Sequence, residues 1–403
     1  MVRSMDGNEI RTLAGGVNQS RVRDHNERLI LSLLLRNGPM PGSDIARHTG
    51  LSPQTVSIIL RELERDRILA RGEPIRGKVG KPSIPMRLDP DGVLSLGLRI
   101  GRRSADLLLL DLTGSIRWQR QATYPIATPQ RIFRFLEEGL AAAHDALPPA
   151  GQERLAGIGV GIPFEMWRWA DLSGEAAREF RSWKDIDFAA EVRAFADLPV
   201  FMVNDATAAC HAEHLFGRGK EFRDYAYFFI GSFIGGGVVL NGSVYEGNRG
   251  NAGALGALRT TGPQGESQQL IDVASLHLLE RRLVEAGIDA AVLWQKPQDW
   301  SGIERHVEAW IGQTAQELAK AALSVCSVID FEAVLIDGAF PPSVRDELVA
   351  RVRRYLVHQD MRGLIPPRVE AGAVGENARG IGAASNPVLR QYLLDTNAAF
   401  ALR

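Results

Sequence analysis

The stretch GSFIGGGVVLNG (residues 231–242) places four glycines within seven residues, directly after the apolar run YAYFFI (225–230). Short apolar runs bounded by turn residues predict buried strands, here at 225–231 and 236–241. Glycines between two such strands are typical of backbone that wraps closely around a phosphate. The stretch therefore poses a choice between a working nucleotide-binding loop and a loop kept from an ancestor that had one.

The segments on either side predict a two-lobed α/β body. From residue 93 onward, three consecutive strands are followed by alternating helices and strands, and this order is met twice. Such a duplication predicts two α/β lobes with a cleft between them. The other predicted strands lie at 94–100, 104–114, 115–126, 155–163, 199–203 and 333–337, and the predicted helices at 129–147, 185–197, 269–286 and 304–329.

Composition and charge divide the chain into a basic head and an acidic body. The 403 residues are 45% hydrophobic and 24% charged, which is typical of a soluble protein with more than one domain. Residues 1–90 hold 15 Lys and Arg against 10 Asp and Glu, whereas the remaining residues hold 32 against 38. This asymmetry predicts that only the head meets a polyanion.

The sequence lacks the patterns expected for metal binding, secretion or membrane insertion. Cys210 and Cys326 lie far apart without a CxxC or Cys/His spacing, so neither a disulfide framework nor a zinc site is expected. The first 16 residues lack the apolar core of a signal peptide, and the uncharged run 225–245 is too rich in glycine and turn residues for a membrane span. We therefore expect a cytoplasmic protein that binds no metal and no cofactor.

Three helices are predicted in the head, at 24–38, 43–50 and 53–66. Asp24 and Glu27 match a capping box at the start of the first helix, and Ser43 is the expected N-cap of the second. Ser52 is the expected N-cap of the third helix, where Pro53 takes the first helical position. The buried stripe of the third helix is predicted at Val56, Ile59, Leu60 and Leu63.

A short helix, a tight turn at Gly50 and a helix that begins with small polar residues form a helix-turn-helix pattern. A three-helix packing module with a solvated face has the same spacing. The segment 71–90 favours DNA binding, because it carries five cations against two carboxylates on a hairpin wing and strap suited to phosphates or a minor groove. We predict a winged helix-turn-helix that acts as a dimer on operator DNA, with contacts from Ser52, Gln54, Thr55, Ser57, Arg61, Arg76, Lys78 and Lys81.

These features together resemble the ROK family of repressors and sugar kinases, in particular its transcriptional regulators. The matching stretches cover most of residues 24–385 in family order: GKVGKP (77–82), GVGIP (159–163), VNDATAACHAEHLFGRGK (203–220), GSFIGGGVVLNGSVYEGNRGNAGALG (231–256), VLIDGAF (334–340) and GIGAA (380–384). The resemblance implies an actin-like, two-lobed sugar-kinase fold behind a winged helix. The domains expected from it are a flexible arm (1–22), the winged helix-turn-helix (23–90), a first lobe (91–205) and a second lobe with the C-terminal helices (206–403).

The resemblance also allows the phosphate loops to be compared. ROK kinases carry a first loop of the form DxGGT, and the matching stretch here is GLRIGRRSA (97–105). Arg99 stands at the position of the Asp, and Arg102 and Arg103 stand at those of the second Gly and the Thr. In the second loop Phe233 replaces a glycine. Bulky side chains prevent the close approach of phosphate, although their charge leaves anion binding open.

The sugar site implied by the resemblance is incomplete. Asn204 and Asp205 match the family pair whose Asp is the base toward a sugar hydroxyl, but an Asn-Asp pair before a helix is equally a cap. The expected effector contacts are Asn204, Asp205, Gly236 and Asn251. Ala254, Ala257 and Ile271 replace polar or zinc-binding residues of the family, so zinc is not expected and a standard hexose loses two polar anchors.

Two further clusters have alternative interpretations. Phe164, Trp167 and Trp169 follow the GVGIP strand and are expected to pack, with stacking on a ligand as the alternative. His211 and His214 lie three residues apart and, without further ligands, are expected at the surface or in packing rather than at a metal.

Two functions therefore remain. The first is a DNA-binding repressor of carbohydrate-related genes. Its catalytically silent body senses a sugar or sugar derivative and forms a homodimer or homotetramer. The second is an ATP-dependent ROK sugar kinase with an added head. The sequence GRRS (101–104) favours the first, because the Asp, Gly and Thr of the first loop are all replaced.

Overall fold

The computed structural model describes residues 19–74, 83–164, 166, 178–179, 181–262 and 264–394. The head consists of helices packed on a small antiparallel sheet with strand order β1-β3-β2. The head helices are α1 (Gln19–Asn37), α2 (Gly42–Thr49) and α3 (Pro53–Arg65), and its strands are β1 (Met40–Pro41), β2 (Leu69–Arg71) and β3 (Pro85–Leu88).

The helix ends in the head follow the sequence only in part. The N-cap of α3 is Ser52 and the turn before it is Gly50 in a left-handed conformation (φ 71°), as predicted. The capping box at Asp24 is wrong, because α1 already begins at Gln19 and Asp24 lies inside it. The N-cap of α2 is Pro41 rather than Ser43, and no side chain caps that helix.

The first lobe is a five-stranded sheet of order β6-β5-β4-β7-β8. Its three antiparallel strands are followed by two parallel ones, as the sequence predicts. The strands are β4 (Leu94–Ile100), β5 (Ser104–Asp111), β6 (Ile116–Thr123), β7 (Leu155–Ile162) and β8 (Val200–Asn204), and the helices are α4 (Pro129–Asp145), α5 (Pro149–Gln152) and α6 (Phe188–Arg193).

The second lobe repeats this plan with the sheet order β11-β10-β9-β14-β15. Its strands are β9 (Tyr225–Ile230), β10 (Ile234–Leu240), β11 (Ser243–Val244), β14 (Ala333–Gly338) and β15 (Arg368–Ala371), with a separate hairpin of β12 (Arg259–Thr261) and β13 (Ser267–Gln269). Its helices are α7 (Asp205–Phe216), α8 (Ile271–Ala274), α9 (Leu276–Glu285), α10 (Glu304–Cys326) and α11 (Pro342–Leu356). The helix predicted at 269–286 is thus divided, at Ser275.

The last described helix, α12 (Ala378–Tyr392), crosses back to the first lobe. It packs on β4 and β7 and lies along α7. The contact is close because glycine faces backbone on both sides: a Cβ on Gly159 would collide with the carbonyl of Ala383, and one on Gly382 with that of Ala208. The α7–α12 pair therefore joins the two lobes through backbone surfaces that only glycine permits.

The head and the body share one apolar cluster. Val388 and Leu393 of the α12 region are buried together with Ile30 and Leu34 of α1. Two backbone carbonyls add polar contacts: Arg154 donates to the carbonyl of Asp66 at 2.7 Å, and Arg36 donates to that of Lys220 at 3.0 Å. No helix in the described ranges is long and apolar enough to cross a membrane.

Candidate DNA-binding surface and effector cleft

The start of α3 is a closed cap. The Ser52 hydroxyl accepts a hydrogen bond from the backbone N–H of Thr55 at 3.1 Å, and the hydroxyls of Ser52 and Thr55 lie 2.8 Å apart. Both residues were predicted as DNA contacts, and the structure places both at the N-terminal end of α3. Their side chains also hold the helix end in place, so their first role in the fold is capping.

The outer face of α3 is polar with one apolar member. Gln54, Ser57 and Arg61 are exposed, as predicted for residues that reach base edges. Arg61 donates to the carbonyl of Ser57 at 3.0 Å, which lays its side chain along the helix. Ile58 is 45% exposed on the same face. It was not among the predicted contacts, although an exposed isoleucine between polar residues is suited to a thymine methyl group.

The strands of the predicted wing are present as β2 and β3, which pair antiparallel. Arg71 of β2 donates to Glu64 of α3 at 2.6 Å, so the wing is tied to the recognition helix. Arg76, Lys78 and Lys81 lie outside the described residues, and their part in DNA contact stays a prediction.

A cavity of about 280 Å³ lies between the two lobes. It is the cleft that the duplicated pattern predicts. All four predicted effector contacts, Asn204, Asp205, Gly236 and Asn251, lie in its wall. The sequence therefore identified residues from three separate segments that the fold brings together.

Asn204 and Asp205 have partners within the protein. The Asn204 Oδ1 accepts from the backbone N–H groups of Ala206 at 3.0 Å and Thr207 at 3.2 Å, which makes Asn204 the N-cap of α7. One carboxylate oxygen of Asp205 accepts from Arg379 at 3.2 Å. The cap interpretation of Asn204 is thus correct for its oxygen, and both side chains still line the cavity.

Arg379 is the cleft residue that sequence reasoning missed. It begins α12, its side chain is only 11% exposed, and its guanidinium carbon lies 5.0 Å from the ring centroid of Phe229. Burial and the nearby Arg99 lower its pKa, while Asp205 opposes that shift. The signal available in the sequence was its position next to the GIGAA stretch, which packs on β4, β7 and α7.

The three arginines of the first loop make contacts within the protein. Arg99 is buried and donates to Asp106 of β5 at 2.6 Å and to the hydroxyl of Ser104. Burial disfavours its charge, but Asp106 outweighs this and the pKa of Arg99 is raised. Arg99 is therefore committed to the β4–β5 pair.

Arg102 and Arg103 reach from the first lobe to the second. The guanidinium carbon of Arg102 lies 5.6 Å from the ring centroid of Phe233, the residue that replaces a glycine of the second loop. Arg103 forms an ion pair with Glu280 of α9 at 3.5 Å. The residues that replace the phosphate-loop positions thus form a connection across the cleft mouth.

The glycines of 231–242 lie in a strand more than in a loop. Strand β10 begins at Ile234, two residues before the predicted start, and includes Gly235, Gly236 and Gly237. A Cβ on Gly235 would come within 2.7 Å of Ala206, and one on Gly237 would collide with Cys210. These glycines permit α7 to lie directly on β10, so helix packing accounts for them without a phosphate.

The far wall of the cleft is apolar. Ala254, Ala257 and Ile271, which replace family polar residues, all line the cavity. Phe164 is 47% exposed at its rim, whereas Trp167 and Trp169 lie outside the described residues. Within the described ranges no group of three His, Cys, Asp or Glu side chains is placed to hold a metal ion.

His211 and His214 lie in the second half of α7, whereas the cleft is lined by the start of that helix. His211 is buried and contacts Glu246 at 3.1 Å, and the ring of His214 lies 3.3 Å from the hydroxyl of Tyr225. The prediction that they are packing residues is correct for these contacts. Both also line a second cavity, at the junction of head and body.

Two protein families match this chain, one in the body and one in the head. The ROK family matches residues 95–386, and the winged helix-turn-helix DNA-binding family matches residues 23–69. The chain belongs to the ROK family. The ROK match covers both lobes and the cleft, and the winged helix match covers the head up to β2.

Two ROK-related chains resemble this protein over most of its length. A putative xylose repressor of Caldicellulosiruptor sp. is 24% identical over 325 residues, covering 77% of this chain and 78% of its own. The crystal structure of a ROK family transcriptional regulator, described as a homologue of the E. coli MLC protein, superposes with a TM-score of 0.65 at 19% identity. It covers 91% of this chain and 96% of its own.

A kinase of the ROK family resembles only the body. The ROK hexokinase of Thermus thermophilus is 25% identical with a TM-score of 0.52, and it covers 74% of this chain and 99% of its own. The kinase is thus matched nearly in full by about three quarters of this protein. The remaining part of this chain includes the winged helix.

Proposed function

We propose that this protein is a DNA-binding transcriptional regulator, acting as a repressor of carbohydrate-related genes, whose kinase-like body senses a small molecule without phosphorylating it. The observation that carries the proposal is the winged helix with an exposed polar face on α3, joined to a ROK body. A relative named as a putative xylose repressor and a solved ROK family transcriptional regulator each match more than three quarters of this chain.

The proposal that the body lacks phosphoryl transfer is supported by the geometry of the first loop. A kinase needs backbone N–H groups open to the phosphates and a carboxylate near the metal. Here Arg99 is engaged by Asp106, and Arg102 covers Phe233. Asp205, at the position of the family base, has one oxygen engaged by Arg379. The alternative, a sugar kinase, is supported by the likeness of this chain to the ROK hexokinase, which is 25% identical.

The effector that suits the cleft is a sugar derivative rather than a standard hexose bound in the family manner. Asp205 and Asn251 offer polar contacts on one side, whereas Ala254, Ala257 and Ile271 present an apolar wall on the other. A ligand that draws the lobes together would shift the equilibrium between two geometries of the head.

We propose that the protein acts as a homodimer or homotetramer in the cytoplasm, with the winged helix at 23–90, a first lobe at 91–205 and a second at 206–403.

Binding of the purified protein to its own upstream region tests the regulator. We expect a mobility shift at physiological salt that is at least about a thousandfold tighter than for random duplex. Addition of an effector found in a thermal-shift screen of sugars, polyols and sugar acids should change that affinity. Equal affinity for the upstream region and for random duplex would falsify the proposal.

A further inference from the structure

A second cavity, of about 470 Å³, lies where the head meets the body. One wall is α1, the first helix of the head. The other walls are the end of α7, the turn between β10 and β11, and the end of α12. Among the described residues, the walls of this junction cavity and of the cleft have no member in common. Its volume is that of a small-molecule site.

The junction cavity is rich in positive charge. Arg28 and Arg36 of α1 and Arg390 of α12 line it, and Glu246 is the acidic residue among the described wall residues. Glu246 accepts from Arg390 at 2.6 Å and contacts His211 at 3.1 Å. Its charge is therefore already paired, and Arg28 and Arg36 contribute positive charge that the described wall residues do not offset.

The pKa of His214, a histidine in the cavity wall, is affected by the same positive charge. His214 lies beside the cavity, and burial lowers its pKa to about 4, with further lowering by His211 and Arg36. The His214 ring is therefore neutral near pH 7, so it can form a hydrogen bond to a ligand without adding positive charge to the cavity. The permanent cations of the cavity are the three arginines.

The side-chain oxygen of Asn386 has no hydrogen-bond partner among the described residues. It lines the cavity from α12 and is 1% exposed. Its amide nitrogen faces the carbonyls of Phe201 and Met202 at 3.5 and 3.4 Å, whereas its Oδ1 has no hydrogen-bond partner within the described part of the chain. A buried acceptor of this kind is normally satisfied. Because this oxygen is closed to solvent, a cavity ligand reaches it only after the Asn386 side chain turns.

We propose that the junction cavity binds a small hydroxylated anion, namely a phosphorylated or carboxylated sugar. Arg28 and Arg36 meet the anionic group, a turn of the Asn386 side chain brings its amide to a ring hydroxyl, and Leu215, Leu389 and Leu393 cover the apolar face of the ring. The ligand contacts the head through α1 and the body through α7 and α12. This site is independent of the cleft and of the effector proposed for it.

Calorimetry on the full-length protein with glucose 6-phosphate, gluconate and glucose tests the site. We expect saturable binding of at least one of the two anions and none of glucose in this cavity. The double variant Arg28→Gln/Arg36→Gln should weaken that binding by about tenfold or more, because two charge-assisted contacts are lost. The single variant Arg28→Gln leaves the hydrogen bond of Arg36 to the Lys220 carbonyl intact and should show a smaller loss in the same direction.

A charge-matched control is Arg131→Gln/Arg193→Gln, which removes two exposed arginines from the first lobe. It should leave anion binding unchanged. Binding of neither anion, equal affinity in the Arg28/Arg36 variant, or an equal loss in the control would overturn the proposal. Loss of anion binding in Arg102→Gln with retention in the Arg28/Arg36 variant would place the anion in the cleft and would also overturn it.

Discussion

The guanidinium of Arg102 lies over the ring of Phe233 across the mouth of the cleft, with the guanidinium carbon 5.6 Å from the ring centroid. Arg102 belongs to the first lobe and Phe233 to the second, and both stand where a ROK kinase has small residues of its phosphate loops. The contact therefore joins two positions that the family resemblance assigns to the phosphate loops. It also makes cleft opening cost the energy of a cation–π pair.

Removal of this contact should loosen the cleft. A cation–π pair contributes about 0.5–1 kcal/mol, so Arg102→Ala should broaden the distribution of distances between the lobes. The measurement is energy transfer between dyes on introduced cysteines at Arg193 and Glu285, since the described native cysteines are buried. Arg120→Ala is the matched control, because Arg120 lies at the same 5.6 Å over Phe135 within the first lobe alone. Equal broadening in both variants would contradict the role of Arg102.

Phosphoryl transfer should be absent. With ATP, Mg²⁺ and a panel of sugars, we expect no sugar-dependent release of ADP above the level of the Asp205→Asn variant. The reason is that Arg99 and Arg102 stand at the positions of the Asp and the second Gly of the kinase loop, and both are engaged in contacts within the protein. A coupled spectrophotometric assay measures the release. Sugar-dependent release that Asp205→Asn abolishes would show that the body is a kinase.

The recognition helix should determine sequence preference. Gln54 is exposed near the start of α3, and loss of a bidentate base contact costs about 1–3 kcal/mol on the preferred site only. Gln54→Ala should therefore weaken operator binding while leaving random duplex unchanged, as measured by fluorescence anisotropy. If both duplexes weaken equally, α3 does not read bases through Gln54.

The strap should act on all duplexes alike. Replacing Arg76, Lys78 and Lys81 with Gln should lower affinity for operator and random DNA by the same factor. It should also reduce the slope of log K against log salt by about 2 to 3, since each phosphate contact contributes about 0.9. Anisotropy titrations from 50 to 200 mM salt measure the slope. Arg193→Gln is the control. An unchanged slope in the triple variant would show that these three residues do not contact DNA phosphates.

The outline of the fold followed from the sequence because it rests on strong periodic signals. The apolar runs at 225–230 and 333–338 and the stripe on α3 all form buried elements close to where they were predicted. The start of α1 was misplaced because Asp24 and Glu27 also suit a helix interior, where Glu27 pairs with Arg23 at 2.9 Å. Local capping patterns cannot exclude a helix that starts earlier.

The cleft was predictable in its polar residues and less so in their partners. Asn204, Asp205, Gly236 and Asn251 could be named because their stretches match a family pattern, and all four line the cavity. Arg379 could not, because its pairing with Asp205 depends on the return of α12 across 174 residues of sequence. The reach of Arg102 to Phe233 likewise requires the angle between the lobes, which no single stretch encodes.

The glycine strand offers a test of packing. A Cβ on Gly237 would collide with Cys210 of α7, so Gly237→Ala should destabilise the body by about 1–3 kcal/mol. Gly151→Ala is the control, because its new Cβ would meet only ordinary contacts at 3.4 Å or more. Urea denaturation followed by tryptophan fluorescence measures the difference. Equal stability of the two variants would mean that α7 can move away from β10 without cost.

One buried carboxyl should make stability depend on pH. Burial, and then the charge of Glu213, raise the pKa of Asp337 to about 6, against 3.8 for the ordinary group. The folded state therefore holds the proton more tightly than the unfolded chain, and its contribution to stability is lost as pH rises through 6. From pH 7 to pH 4.5 the wild type should gain about 2 kcal/mol relative to Asp337→Asn. Urea titrations of both proteins at the two pH values measure this, and a constant difference would contradict the raised pKa.

The closeness of α12 to the backbone of the first lobe also has a consequence for biosynthesis. The helix covers β4 and β7 and shares the apolar cluster of the head, yet the ribosome makes it after every strand it covers. A nascent chain can form the winged helix early, but the apolar cluster that joins it to the body is complete only when residues 378–393 have emerged. The full contact between head and body therefore forms only after nearly all of the described chain has been made.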